Sequence, residues 1–125
     1  MKTLINSEFA PAAAAPYSQA IEAGEMVFVS GQLPVQLADG QIPEGIEAQA
    51  RTSLNNVVEV LKAAGCTMDD VVKTTVFLSD IANFGVVNGI YAEYFKAPYP
   101  ARSCFQVGAL PKGSPVEVEA IAVKR

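Results

Sequence analysis

The chain has no histidine and no tryptophan. Without histidine, no Ser-His-Asp triad, Cys-His dyad or histidine metal site can be assembled from it. Any catalysis has to rest on carboxylates, tyrosine, arginine, lysine, thiols, backbone amides and bound water. Cysteine is nearly absent too. Cys66 and Cys104 are the only two, in no CxxC spacing, too few for a zinc site or a disulfide scaffold. They read as reduced thiols and point to the cytoplasm. Positive charge is scarce: 9 Lys and Arg stand against 13 Asp and Glu, net −4, with arginine only at 51, 102 and 125. Nucleic-acid affinity comes largely from phosphate neutralisation, so no nucleic-acid partner is expected. No apolar run approaches the ~20 residues that span a bilayer, so no membrane role is expected either. Charged and polar residues break up the N-terminal MKTLINSEFAPAAAAP before a signal-peptide core can form.

What is present is core-forming material. Half of the 125 residues are hydrophobic, and the length suits one domain. Ala10–Pro16 reads as an extended arm, since Pro11 and Pro16 disfavour helix before them. Met26–Ser30 is nearly all apolar and reads as a strand buried on both faces. Asp39-Gly40, between Pro34 and Pro43, predicts a short hairpin. Ile46, Ala50, Leu54, Val57, Leu61 and Ala64 recur at helical spacing, so a helix is expected from about 45 to 64, with Gly65 as its left-handed terminator.

Val71–Leu78 is β-branched and strand-like, with Val72, Thr74, Val76 and Leu78 as its packed face. A second helix is expected over about 83–95, with Phe84, Val87, Tyr91 and Tyr94 or Phe95 inward. Gly85 and Gly89 lie within it, as if another backbone or a ligand came close. After Pro98-Tyr-Pro100, residues 102–107 and 116–124 read as two more strands. The order predicts an α+β fold: one sheet with two helices over one face. The uncovered face is apolar, which points to burial against another copy of the chain.

Candidate chemistry lies where packing does not ask for polar groups. Arg102 starts a strand within PARSCFQV and is suited to a bidentate grip on a carboxylate, or to a salt bridge. Period two puts Glu117 and Glu119 on one face, as a partly buried pair or a solvated edge. Buried, one of them would have a raised pKa suited to acid–base work. Tyr17 offers a ring and a hydroxyl, Ser30-Gly31 a hydroxyl and an amide, and Asn88 an amide beside the second helix's apolar stripe. Cys104 has no histidine to activate it and reads as a wall residue.

In APAAAAPYSQA, MVFVSGQLPV, QARTSLNNVVEVLKAAG, VVKTTVFLSDIANFGVVN, PARSC and VEVEAIAVKR, taken in order, the chain closely resembles the RidA (YjgF) family of imine and enamine deaminases. The resemblance implies a chorismate-mutase-like α+β fold and a homotrimer whose sheets form a central barrel, with active sites in the clefts between subunits. It implies hydrolysis of 2-imino acids, such as 2-iminopropanoate (with its enamine 2-aminoacrylate) and 2-iminobutanoate, to 2-oxo acids and ammonia, with no metal or organic cofactor. Carried over by position, Arg102 holds the substrate carboxylate and Glu117 places the water. Tyr17, Ser30 and Asn88 shape the site, and the backbone at Gly31 and Cys104 supplies hydrogen bonds. The main departure is KAPYP before PARSC, shorter than the loops of some relatives. Three other readings remain on the residues alone. They are a chorismate-mutase-type pericyclic enzyme, short of cations for a dicarboxylate, a non-catalytic module binding a small carboxylate, and a nuclease, poorly served by net −4.

Overall fold

The computed structural model describes residues 1–125. Six strands form one mixed sheet: β1 (Lys2–Ile5), β2 (Ala20–Ala23), β3 (Met26–Gln32), β4 (Val71–Leu78), β5 (Ala101–Gln106) and β6 (Val116–Val123). Their spatial order is β1-β2-β3-β6-β4-β5. Only β4 and β5 pair in parallel, joined through helix α2 (Phe84–Tyr94). Helix α1 (Ile46–Ala63) links β3 to β4, and β6 inserts antiparallel between those two strands. The α+β expectation of two helices against one sheet holds.

The helices pack on the side carrying Val27, Val29, Val76, Leu78, Val116, Val118, Ala120 and Ala122, all buried. From α1 come Ala50, Leu54, Val57 and Leu61, the stripe read from spacing. Complete burial of side chains such as Leu54, Val57 and Leu61 stabilises the fold by ~1.5–3 kcal/mol each. The helix ends as expected: Gly65 has φ 77°, its N–H reaches Lys62 O at 3.0 Å, and Cys66 N–H reaches Leu61 O at 2.9 Å. That pair of bonds is a Schellman motif, open to glycine because φ is positive.

Four expectations need correction. Residues 33–44 form no hairpin, although Asp39-Gly40 does turn the chain, with Gly40 at φ 70° and Gly40 N–H on Gln36 O at 2.9 Å. Proline at 34 and 43 removes donors from both flanks, so no ladder forms. In β3, Val27 and Val29 are buried but Met26 and Phe28 are exposed, so within one chain only one face is covered. In β4 an irregularity between Val71 and Lys73 shifts the register. It turns Val71 inward, leaving Val72 exposed while Thr74, Val76 and Leu78 stay buried. In α2 a Cβ on Gly85 or Gly89 would meet nothing within 4 Å, so no close approach within this chain explains either glycine. Strands β1 and β2 were not foreseen. Each has four residues, too few to display a period.

The N-terminal arm, expected to be extended, forms no strand over 10–16 and is pinned by buried Gln19. Its side chain accepts from Ser7 N–H at 2.6 Å and donates to Pro11 O at 2.9 Å.

Candidate active site

Arg102 lies near the start of β5, an edge strand, opposite Thr74 of β4. Thr74 is buried on the helix side, so Arg102 points to that side as well, beneath α2. Its Nη1 donates to Asn88 Oδ1 at 2.7 Å. The guanidinium carbon lies 4.8 Å from the centroid of the Tyr91 ring and 5.5 Å from that of Phe84. Cys104, two residues on, shares this side. Burial pushes its thiol pKa up and the Arg102 charge pulls it partly back, so the thiol stays protonated near neutrality. Arg102 makes no ion pair within the chain. One of its five N–H groups is taken by Asn88, which leaves four for an anion.

Glu117 stands opposite Phe77 in the β4–β6 pairing. Thr74 and Phe77 are three residues apart on one strand, so Glu117 projects from the other side of the sheet, the side without helices. Glu117 lines a cleft of about 560 Å³ with Tyr17, Ser30, Gly31, Lys112 and Glu119. An irregularity in β3 between Val29 and Gln32 sets Gly31 against β6. A Cβ on Gly31 would lie 2.7 Å from both Cδ and Oε2 of Glu117, so an alanine there must push the carboxylate aside. Ser30 Oγ donates to Ser18 O at 2.6 Å, which holds the segment carrying Tyr17 over β3. Asn56 of α1 donates to Leu33 O and Val35 O, both at 3.0 Å, and fixes the Leu33 wall of the cleft.

Burial raises the Glu117 carboxyl pKa above its ordinary value, and the Glu119 charge raises it further. The folded chain therefore binds more protons than the unfolded one between the two pKa values, and stability falls as pH rises through that window. Glu117→Gln is neutral and similar in shape. It should melt at higher temperature than the parent at pH 7, and at the same temperature near pH ~3, below the ordinary value of ~4.3. Equal melting points at both pH values would contradict this.

The seven residues that the family resemblance assigns to the site thus fall into two groups. Arg102, Asn88 and Cys104 gather under α2, and Tyr17, Ser30, Gly31 and Glu117 gather on the open face. One chain does not bring the groups together, because the sheet lies between them. The sequence reading missed the aromatic surroundings of Arg102. Phe84 was expected in the core and is 37% exposed, turned to the guanidinium instead. The signal was available: Phe84, Asn88 and Tyr91 are spaced i, i+4, i+7, one helical stripe. Lys112, at φ 60° in the loop before β6, was also missed. Nothing in its sequence context marks it. No three His, Cys, Asp or Glu side chains are grouped to hold a metal, and no helix is long and apolar enough to cross a membrane.

Two helices on one mixed six-stranded sheet define an α+β protein, with Arg102 and its free N–H groups on one side of the sheet and the half-buried Glu117, its pKa raised, on the other. The family model described as Endoribonuclease L-PSP matches residues 7–124, and the chain belongs to that family, which is the RidA (YjgF) family of the sequence resemblance. A protein from Bos taurus named 2-iminobutanoate/2-iminopropanoate deaminase is 48% identical over 99% of this chain and 91% of its own length. One of the same name from Escherichia coli K12 is 47% identical over the whole of both chains. A crystal structure described as E. coli TdcF with bound serine superposes with a TM-score of 0.95 at 44% identity, covering 98% of this chain and 99% of that one.

Proposed function

We propose that this protein is a 2-iminobutanoate/2-iminopropanoate deaminase, hydrolysing small 2-imino acids and their enamine tautomers to 2-oxo acids and ammonia. The observation that carries the reading is the near-full-length identity of 47–48% to proteins named for that activity. It is supported by an arginine with N–H groups to spare and by a carboxyl whose pKa burial raises.

In this reading Arg102 grips the substrate carboxylate and fixes the imine carbon in place. Glu117 accepts a hydrogen bond from water and aims it at that carbon, and its raised pKa suits it to take the water's proton. Water adds to the C=N bond, giving a carbinolamine. The nitrogen takes a proton and leaves as ammonia while the C=O bond forms. Tyr17, Ser30, Asn88 and the Gly31 and Cys104 backbones shape the space around the imine. Imines hydrolyse readily in water, so positioning one water beside a held carboxylate is enough, and neither a histidine relay nor a metal or organic cofactor is needed. The two groups of residues lie on opposite sides of one sheet, which supports a site completed between copies. The apolar open face, with Met26, Phe28 and Phe105 exposed, supports a homotrimer closed through these sheets. Free Cys66 and Cys104 support a reducing compartment, the cytoplasm.

The test generates 2-aminoacrylate with a serine dehydratase and follows its capture by semicarbazide. Adding this protein should remove the trappable imine and speed 2-oxo acid formation. An unchanged trapping yield would defeat the reading. A second reading, a module that binds a small amino acid without turning it over, draws on the serine held by the E. coli relative. Under it, Glu117→Gln would leave ligand affinity unchanged and there would be no turnover for it to abolish. The family's endoribonuclease description is poorly served by the net charge of −4, with 9 basic residues against 13 acidic ones.

A further inference from the structure

Arg102 is not a free arm that finds its ligand. It is held on three sides by one stripe of α2, with Asn88 bonded to Nη1 at 2.7 Å and the Tyr91 and Phe84 rings at 4.8 and 5.5 Å. The Tyr91 ring is itself fixed. Its hydroxyl shares a buried hydrogen bond of 2.7 Å with Thr74 Oγ1, and the ring packs on Phe95 with centroids 4.5 Å apart. Thr74 is the residue directly opposite Arg102 in the β4–β5 pairing. One strand thus carries the arginine, and its neighbour carries the hydroxyl that orients the ring beneath it.

We propose that Tyr91, locked by Thr74, is a positioning residue that pre-orders the Arg102 guanidinium for a carboxylate. The inference rests on Arg102 being the carboxylate-binding group. An unsupported arginine loses rotamer freedom when it binds, and that loss comes out of the affinity; a guanidinium already stacked on a fixed ring has lost it beforehand. The ring face attracts the cation without using any N–H, so every donor that Asn88 leaves free stays available for a carboxylate. Burial raises the Tyr91 hydroxyl pKa above its ordinary value, so the group is un-ionised at neutral pH and no negative charge there competes with an incoming anion.

The test compares Tyr91→Phe, Tyr91→Leu, Arg102→Ala and the double variant Tyr91→Leu/Arg102→Ala, each checked for folding by circular dichroism. The readouts are KM and kcat for 2-iminobutanoate and calorimetric affinity for 2-oxobutanoate, the product carboxylate. Tyr91→Phe keeps the ring but frees it from Thr74, and should weaken product binding about threefold, short of the loss in Tyr91→Leu. Tyr91→Leu should weaken product binding and raise KM about tenfold, with a smaller change in kcat. It should have no further effect on binding once Arg102 is gone. Equal affinity in Tyr91→Leu and the parent, with Arg102→Ala impaired, overturns the inference while leaving the arginine's role standing. A tenfold loss from Tyr91→Leu that persists in the Arg102→Ala background means a merely structural role, and also overturns it. An unimpaired Arg102→Ala overturns the functional reading beneath it. Should Tyr91→Leu fail to fold, Phe84→Leu removes the second ring from a part-exposed position. It should weaken binding about threefold in the parent and not at all without Arg102. An equal loss in both backgrounds overturns the cradle.

Discussion

Arg102→Ala is expected to lose nearly all hydrolysis of enzyme-generated 2-aminoacrylate while the chain folds and assembles as before. Removing one partner of a close, partly desolvated charge pair costs about 2–5 kcal/mol, or roughly 30- to 5,000-fold in a binding or rate constant. Arg102 is the only arginine near the candidate residues. Arg51 is engaged with Glu93 on the exposed side of α1, and Arg125 is paired to Asp70 at 2.9 Å. No neighbouring guanidinium is placed to substitute. The fold itself asks little of Arg102, since it sits on an edge strand outside the buried apolar cluster. Arg102→Lys should recover only part of the activity, because an ammonium lacks the planar fork and stacks less well on Tyr91. Activity within a few-fold of the parent in a well-folded Arg102→Ala would remove the arginine from the mechanism.

Mixing two inactive variants should give back activity. Arg102→Ala and Glu117→Gln are each expected to be nearly inert, the first for want of the carboxylate grip, the second for want of a base for the water. Arg102 lies on the helix side of the sheet and Glu117 on the other, as the registers opposite Thr74 and Phe77 require. If each site takes its arginine from one subunit and its glutamate from the next, co-refolding equal amounts produces some sites with both residues intact. In a closed ring of randomly mixed subunits that fraction is ~1/4, because each of two neighbours must be the right variant. About a quarter of the parental turnover is therefore expected after co-refolding, and almost none from the same proteins refolded apart. No recovery in well-mixed oligomers would mean that the two residues do not share a site across an interface.

Much of this was legible in the sequence, for reasons that differ by element. Helix α1 was clear because its stripe from Ile46 to Ala64 repeats over many turns and Gly65 ends it where the backbone needs φ > 0. Strand β6 was clear because Val116, Val118, Ala120 and Ala122 alternate with Glu117, Glu119 and Ile121. The reading failed where a pattern was short or locally broken. β1 and β2 carry too few residues to show a period. Val72 sits beside an irregularity that exchanges faces, and the Asp39-Gly40 turn lies between prolines that deny it a ladder.

The candidate residues were legible as types but not as an arrangement. Composition alone excluded histidine chemistry and reduced the guanidinium candidates to three. Alternation alone placed Glu117 and Glu119 on one face, and Arg102 with Cys104 on another strand's face. Those are local facts, determined by periods of two and by what is missing from the chain. Which side of the sheet each face became was settled only by strand order and register, which depend on contacts between residues far apart in sequence. Register put Thr74 beside Arg102 and Phe77 beside Glu117, and so divided the candidate site between the two sides of one sheet. Packing of α2 over β4 and β5 then set Phe84 and Tyr91, read from the sequence as core, and Asn88 beside them, around one guanidinium.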